Sequence, residues 1–463
     1  MSTLMTLAEL ARAVGAREVR GDGRIAFSSV STDTRSLAAG ALFVALRGEH
    51  FDAHDFVGTA RERGAVAAMV ERALDVDLPQ IVVADARRAL GRGAAQWRAR
   101  FTLPVIAVTG SNGKTTVTQM VAAILAQAFG ERNRLATRGN LNNEIGVPLM
   151  LWQLGAQHRA AVFELGMNHP GEIATLAELA RPTVALVNNA QREHQEFMQS
   201  VEATAHENGE VIAALPLSTE GVAVFPADDP CASIWRKLAG TRRVIDFALE
   251  GEAVITATYV LGVDGAQLSM ATPAGVIEVT LAVTGVHNVR NALAAAACAL
   301  AIGVEPRAIS AGLARFRPVS GRGVRLRTRE GAALIDDSYN ANPDSVRAAI
   351  DLLAGFAAPR VLVLGDMGEV GDRGPEFHRE VGAHARARGI ESLYALGTMT
   401  KEAVASFGAG AQHFENLEAL VAALMSHLNA ATTVLVKGSR FMRMERIVKS
   451  LTESEQGQAE GAH

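Results

Sequence analysis

The sequence predicts an α/β fold of three domains, a central parallel-sheet domain flanked by two smaller α/β domains, and three observations carry that prediction. The run VIAVTGSNGKTT at residues 105–116 is an apolar strand that empties into a glycine-rich turn, followed by the helical pattern Val117, Met120, Val121, Ile124, Leu125. Short all-apolar runs alternate with helical stretches along most of the chain, as in parallel sheets covered on both faces. The length of 463 residues exceeds what one core organises and fits about three domains of 100–200 residues.

The elements follow in order. Residues 1–83 form the first domain: an N-terminal helix, a strand at 30–35, a strand at 42–46, a helix at 56–63 and strands at 67–70 and 80–83. The central domain spans 84–314. It opens with an Arg/Ala-rich helix at 85–100 and the strand before the glycine turn, then takes further strands at 159–165 and 183–187. Between 222 and 281 short strands and Gly or Asp turns, such as Val263-Asp264-Gly265, read as antiparallel decoration. Helices at 288–302 and 306–313 close the domain, and Pro318, Gly321 and Gly323 mark a linker. A third α/β domain, 315–451, carries strands at 332–335, 361–364, 392–396 and 433–436. The polar tail 452–463 is expected to be disordered.

Composition narrows the function. A formal net charge of -4 gives no general attraction to nucleic acid or an anionic membrane, so neither is an expected partner and an anionic substrate must be held by local arginines. Cys231 and Cys298 show no metal-ligand spacing, which fits a reducing cytoplasm. The N-terminal stretch is broken by Glu9 and Arg12, unlike a signal peptide, and the longest apolar run, 292–303, is far short of a membrane span. A cytoplasmic protein without membrane insertion is expected.

The turn after residue 109 has the grammar of a triphosphate-binding loop. Gly110 and Gly113 let the backbone N–H groups of the Gly110-Ser111-Asn112-Gly113 turn curl inward toward phosphate oxygens, Lys114 adds a mobile charge, and Thr115, with Thr116 behind it, offers a hydroxyl to magnesium. The loop is a shortened variant, because Val108 stands where GxxxxGK[ST] has its first glycine. Glu164 ends an apolar strand at the same sheet edge, where a carboxylate either holds a magnesium ion or caps the helix after Pro170. His194 follows the next strand, as a second metal ligand or a structural histidine. Asn140, Asn142 and Asn143 lie in an amide-rich block that either bridges metal, phosphate and acceptor or forms an Asx-rich turn. Asn288 and Asn291, three apart on a helix, either read a purine edge or cap the helix.

Together TGSNGKTT, FELGMN, His194 and GVHNVRNALAA resemble the Mur ligase family, ATP-dependent enzymes that join amino acids or peptides to a carboxylate. TRGNLNNEIGVP, IDDSYNANPDS, LGDMGEVG and VKGSR are similar to the branch that adds D-alanyl-D-alanine to UDP-N-acetylmuramoyl-tripeptide in peptidoglycan synthesis, whereas the DNPR motif of the diaminopimelate- or lysine-adding branch is missing. The resemblance implies ATP and Mg2+ as cofactors, those two substrates as partners, and a monomer. It implies a catalytic set of Lys114, Glu164, His194 and Arg322, with Thr115, Glu164 and His194 at the metal. Asn288 and Asn291 would lie at the adenine, and Arg322 and Asp337 at the nucleotide phosphate and ribose. Ser31, Thr32 and Arg35 would hold UDP, with Arg47 and His54 nearby. Asn340, Lys437, Ser439 and Arg440 complete the expected substrate residues.

Two departures stand out. Ala190-Gln191-Arg192-Glu193 precedes His194 where the family has a form like NIGPAH. Asn208 stands where several members carry a lysine whose carbamate holds a second magnesium, and His206, Glu207 or Glu210 either substitutes by direct ligation or is a solvated helix residue. Two other readings fit parts of the sequence: a ligase of the same architecture adding another amino acid or extending folate, and a phosphate-loop regulator that signals by conformation.

Overall fold

The computed structural model describes residues 3–49, 51–217 and 220–452, so the expected tail disorder falls almost wholly outside the described residues. The N-terminal sheet has five strands. Ser29–Ser31, Ala41–Val44, Ala67–Val70 and Gln80–Val82 run parallel, and Glu18–Arg20 pairs antiparallel at the edge. The strand expected at 30–35 stops at Ser31, because Asp33 turns the chain by accepting from the Arg35 backbone N–H at 2.9 Å.

The central sheet is six-stranded and wholly parallel, in the order Arg243–Val244, Val222–Val224, Val184–Val187, Val105–Thr109, Ala160–Glu164, Arg134–Ala136. This corrects the antiparallel reading of 222–281. Val222–Val224 is buried at every position, the signature of an inner parallel strand, and Ala232–Ala239 is a helix. Only Ile255–Leu261, Ala266–Thr272 and Gly275–Leu281 form an antiparallel meander, in which Leu268, Met270, Ile277 and Val279 alternate inward.

The C-terminal sheet also has six strands. Ala333–Asp337, Thr433–Lys437, Arg360–Gly365, Ser392–Leu396 and Ala411–Phe414 are parallel, with Val324–Arg327 antiparallel at one edge. Among the described residues no helix is long and apolar enough to cross a membrane.

Two packing features hold the first and central units in place. Trp97, on the helix Ala86–Arg98, stacks on Trp152 at 6.1 Å, and Trp152 meets Phe27 of the N-terminal unit edge-on at 5.8 Å. Behind the glycine turn, the helix Pro306–Arg315 crosses the helix Lys114–Phe129 with almost no space between backbones, since a Cβ on Gly312 would lie 2.4 Å from the Ile124 Cα.

Backbone cannot retreat as a flexible side chain can. Gly312→Val is therefore expected to destabilise the protein by at least about 1–3 kcal/mol by overpacking, read as a fall in denaturant midpoint; an unchanged midpoint would show that the two helices separate freely.

Candidate active site

Strand register puts the chemistry at one edge. Glu164 is paired with Val108 and Val187 with Thr109, so Glu164 and the residues after Val187 emerge beside the glycine turn at the carboxyl ends of the strands. Gly110 has φ +124° and Gly113 φ +81°. A Cβ at Gly113 would strike Asn291 Oδ1 at 2.5 Å and Asn188 Nδ2 at 2.7 Å, so the turn tolerates no side chain there. The helix Lys114–Phe129 starts at once, with its free N–H groups directed at the turn.

Amides scaffold the loop. Asn208 Oδ1 accepts from the Gly110 N–H at 2.8 Å, Asn189 Oδ1 accepts from the Asn112 N–H at 2.9 Å, and Asn188 Nδ2 donates to Asn291 Oδ1 at 2.9 Å. Ser111 Oγ accepts from the Gln191 N–H. Asn288 Nδ2 donates to Thr284 O at the start of its helix, and its Oδ1 lies 3.4 Å from Asn291 Nδ2.

Lys114 Nζ donates to Gly110 O at 2.6 Å, Ser111 O at 3.2 Å and Glu193 Oε1 at 2.8 Å. Thr115 Oγ1 donates to Glu164 Oε2 at 2.8 Å, and Asn142 Nδ2 donates to Glu164 Oε1 at 2.7 Å. Asn142 thus orients Glu164, while Asn143 Oδ1 caps the turn by accepting from Gly146 N–H and Asn140 stays exposed on the cleft wall.

His194 sits in the left-handed region at φ 50°. Its Nε2 is 3.5 Å from Glu193 Oε1, and its Nδ1 is 2.6 Å from Glu369 Oε2, though too poorly aligned for a good hydrogen bond. Burial alone would lower the imidazole pKa, but the two carboxylates outweigh it and push it up to about 9. The ring is therefore protonated at neutral pH and must shed that proton before either nitrogen facing a carboxylate can ligate a metal.

Of the candidate replacements at 206–210, Glu207 is committed elsewhere. Asn208 is buried, with its amide shared between the Gly110 N–H and Thr204 O. Glu207 accepts from the Gly171 and Ile173 N–H groups at 2.9 and 3.0 Å, capping the helix Glu172–Ala180. Both Glu207 oxygens are committed to that cap, which Glu164 does not make. His206 is exposed and Glu210 half-buried on the same helix, Val201–Ala213.

The C-terminal unit faces this edge across a cleft of about 1430 Å³. Arg322 stacks 4.1 Å over the Tyr339 ring, and Arg440 lies 5.7 Å from the same ring while its Nη1 bonds Glu445. Lys437 is buried and donates to Asp337 Oδ2 at 2.6 Å and Asn340 O at 3.0 Å. Ser439 Oγ donates to Ala341 O and accepts from the Gly368 N–H, stitching three loops together. Ser31, Thr32 and Arg35 lie away from the cleft on the N-terminal unit, where Arg35 is largely exposed and paired to Asp33. His54 there is buried, its ring consumed by Asp52 and the Glu71 N–H.

Sequence reasoning missed the contacts that join the two units. Asn112 and Asn342 pair amide to amide, at 3.0 and 3.3 Å, linking the glycine turn to the cap of the helix Pro343–Ala354. Arg192 spends its whole guanidinium on two carboxylates, Asp344 at 2.6 Å and Glu380 at 2.6 Å, and lies over Phe377. The only signal was polar: the Asn188-Asn189 pair follows a fully apolar strand, and the Gln-Arg-Glu run before His194 departs from the expected loop.

A phosphate-type loop at a parallel-sheet edge, faced by a second α/β unit across a cleft, defines a nucleotide-dependent enzyme of the multi-domain ligase class. Family models agree: the Mur ligase family catalytic domain matches residues 26–102, the Mur ligase middle domain 108–299, and the Mur ligase glutamate ligase domain 321–440. The UDP-N-acetylmuramoyl-tripeptide--D-alanyl-D-alanine ligase of Escherichia coli (strain K12) is 42% identical over 93% of this chain and 95% of its own. A crystal structure of MurF from Acinetobacter baumannii superposes with a TM-score of 0.91 at 34% identity, covering 98% of this chain and 100% of that one. MurF from Thermotoga maritima, solved in complex with ADP, gives a TM-score of 0.80 at 25% identity, covering 91% and 96%. The chain belongs to the Mur ligase family, as its motifs implied.

Arg192 carries more of the contact between the units than any other side chain described above. Arg192→Ala is expected to raise the radius of gyration of the ligand-free protein in solution scattering; an unchanged profile would show that the amide pair alone keeps the units together.

Proposed function

We propose that the chain uses ATP to join the amine of D-alanyl-D-alanine to the terminal carboxylate of UDP-N-acetylmuramoyl-tripeptide, as a cytoplasmic monomer making peptidoglycan precursor. The observation that carries this reading is the direct meeting of the glycine turn with the C-terminal unit through Asn112 and Asn342, which gathers loop, acidic edge and basic wall around one cleft. The relatives named for this reaction match nearly the whole chain.

Carboxylate and amine do not condense in neutral water without activation. The tripeptide carboxylate attacks the γ-phosphorus of ATP, the bond to ADP breaks, and an acyl phosphate forms. The dipeptide amine then attacks the acyl carbon; the C–N bond forms, inorganic phosphate departs and the amine loses a proton. Lys114 holds the phosphoryl oxygens through charge, and the N–H groups of Gly113 and the first turn of the helix Lys114–Phe129 hold them too, because those of Gly110, Ser111 and Asn112 are taken by Asn208 and Asn189. Arg322 and Asp337, on the far wall, address the nucleotide, with Asn288 and Asn291 on the adenine side. Lys437 fixes Asp337, and Asn340, Ser439 and Arg440 shape the wall that receives the dipeptide. Ser31, Thr32 and Arg35 would bind UDP far from the chemistry, so that remote binding energy positions the reacting carboxylate.

The Thr115 hydroxyl and the Glu164 carboxylate suit a hard cation, and His194 would join them only after losing its proton. Thr115, Glu164 and His194 would hold Mg2+, which when bound neutralises charge on the phosphates. Among the described residues no cluster of three or more His, Cys, Asp or Glu side chains is placed to hold a metal ion by itself.

Steady phosphate release is expected only when ATP, the UDP-tripeptide and D-alanyl-D-alanine are all supplied. Turnover indifferent to the carboxylate and amine substrates would favour a regulator instead. Lys114→Ala is expected to cut ligation by on the order of 10²–10³-fold or more with the fold retained; a folded variant near wild-type turnover would remove Lys114 from the mechanism.

A further inference from the structure

Glu193 is buried, at 8% exposure, and lines the nucleotide cleft. Its Oε1 meets Lys114, but its Oε2 is buried without a hydrogen-bond donor among the described residues. A carboxylate oxygen taken out of water and left unpaired is costly, so Oε2 is open to a ligand that enters the cleft.

The Lys114 contact sharpens the point. All three ammonium hydrogens are taken, two by the loop carbonyls of Gly110 and Ser111 and one by Glu193. A phosphate entering the turn must claim one of them, and the side-chain pair is the one that rotation can break. Glu193 then faces an incoming anion with only His194, 3.5 Å from its Oε1, as counter-charge and with Oε2 still unpaired. It cannot simply withdraw, because Arg192 on one side is locked to Asp344 and Glu380 and His194 on the other is lodged against Glu369.

Two like charges forced together in a partly desolvated cleft call for a cation between them. We propose that Glu193, through Oε2, is a ligand of the divalent cation that enters with the nucleotide phosphates, and that Lys114 hands it over as phosphate arrives. The inference rests on the nucleotide reading of the cleft and adds to it a carboxylate that stands in this chain where the family pattern has none. A rival role has the opposite sign: Glu193 as an anionic plug that merely competes with phosphate for Lys114.

The test is Mn2+ binding, followed by electron paramagnetic resonance and calorimetry, with and without a non-hydrolysable ATP analogue. Glu193→Gln should weaken Mn2+ binding in the presence of the analogue by about ten- to a hundredfold, while metal-free analogue binding stays equal or tightens. Glu193→Asp, which keeps the charge but shortens the reach, should also weaken Mn2+ and carries the test if the Gln variant fails to fold. Unchanged Mn2+ affinity in a folded variant overturns the proposal, and metal-free tightening with Mn2+ unchanged identifies the plug. Failure of the wild-type protein to bind the analogue at all would instead sink the nucleotide reading.

Discussion

Everything at the site depends on a backbone that must turn through left-handed space twice in four residues, at Gly110 and Gly113, and then become helix at once. Such a turn exposes N–H groups that no regular structure satisfies. The surrounding protein satisfies most of them and leaves those of Gly113 and the helix start open. Asn208 reaches across from a neighbouring helix to take the Gly110 N–H, Asn189 takes that of Asn112, and Asn188 and Asn291 close over Gly113 where any Cβ would stand. Amides suit this task because each offers both donor and acceptor without a net charge that would repel or trap a phosphate.

Much of the fold was legible in the sequence because its inner strands are buried on both faces. Val105–Thr109, Ala160–Glu164 and Thr433–Lys437 read as uninterrupted apolar runs and fall close to where they were expected. Edge strands left no such mark. Glu18–Arg20 and Val324–Arg327 are largely exposed and Ala411–Phe414 is mostly half-buried, so their residues carry little pattern. Val222–Val224 was placed in the wrong sheet for another reason: three apolar residues fit either kind of strand, and only the neighbour they pair with decides.

The site divides along the same line. Its local parts, the glycine turn and the strand-end glutamate, could be read because contiguous residues make them. The parts built by long-range contact could not: the Asn112–Asn342 pair spans 230 positions and the Arg192–Asp344 fork 152. Glu207 shows the same limit. On its own helix it is one carboxylate among several, and only the uncapped start of the helix Glu172–Ala180 across from it reveals its task.

The amide pair between Asn112 and Asn342 has a thermodynamic corollary. Because one hydrogen-bonded unit belongs both to the phosphate turn and to the start of a helix in the other domain, a shift of either alone breaks that pair. Occupancy of the two walls is then linked, and linkage is symmetric: whatever factor a nucleotide adds to the affinity of a ligand on the far wall, that ligand returns in equal measure to the nucleotide.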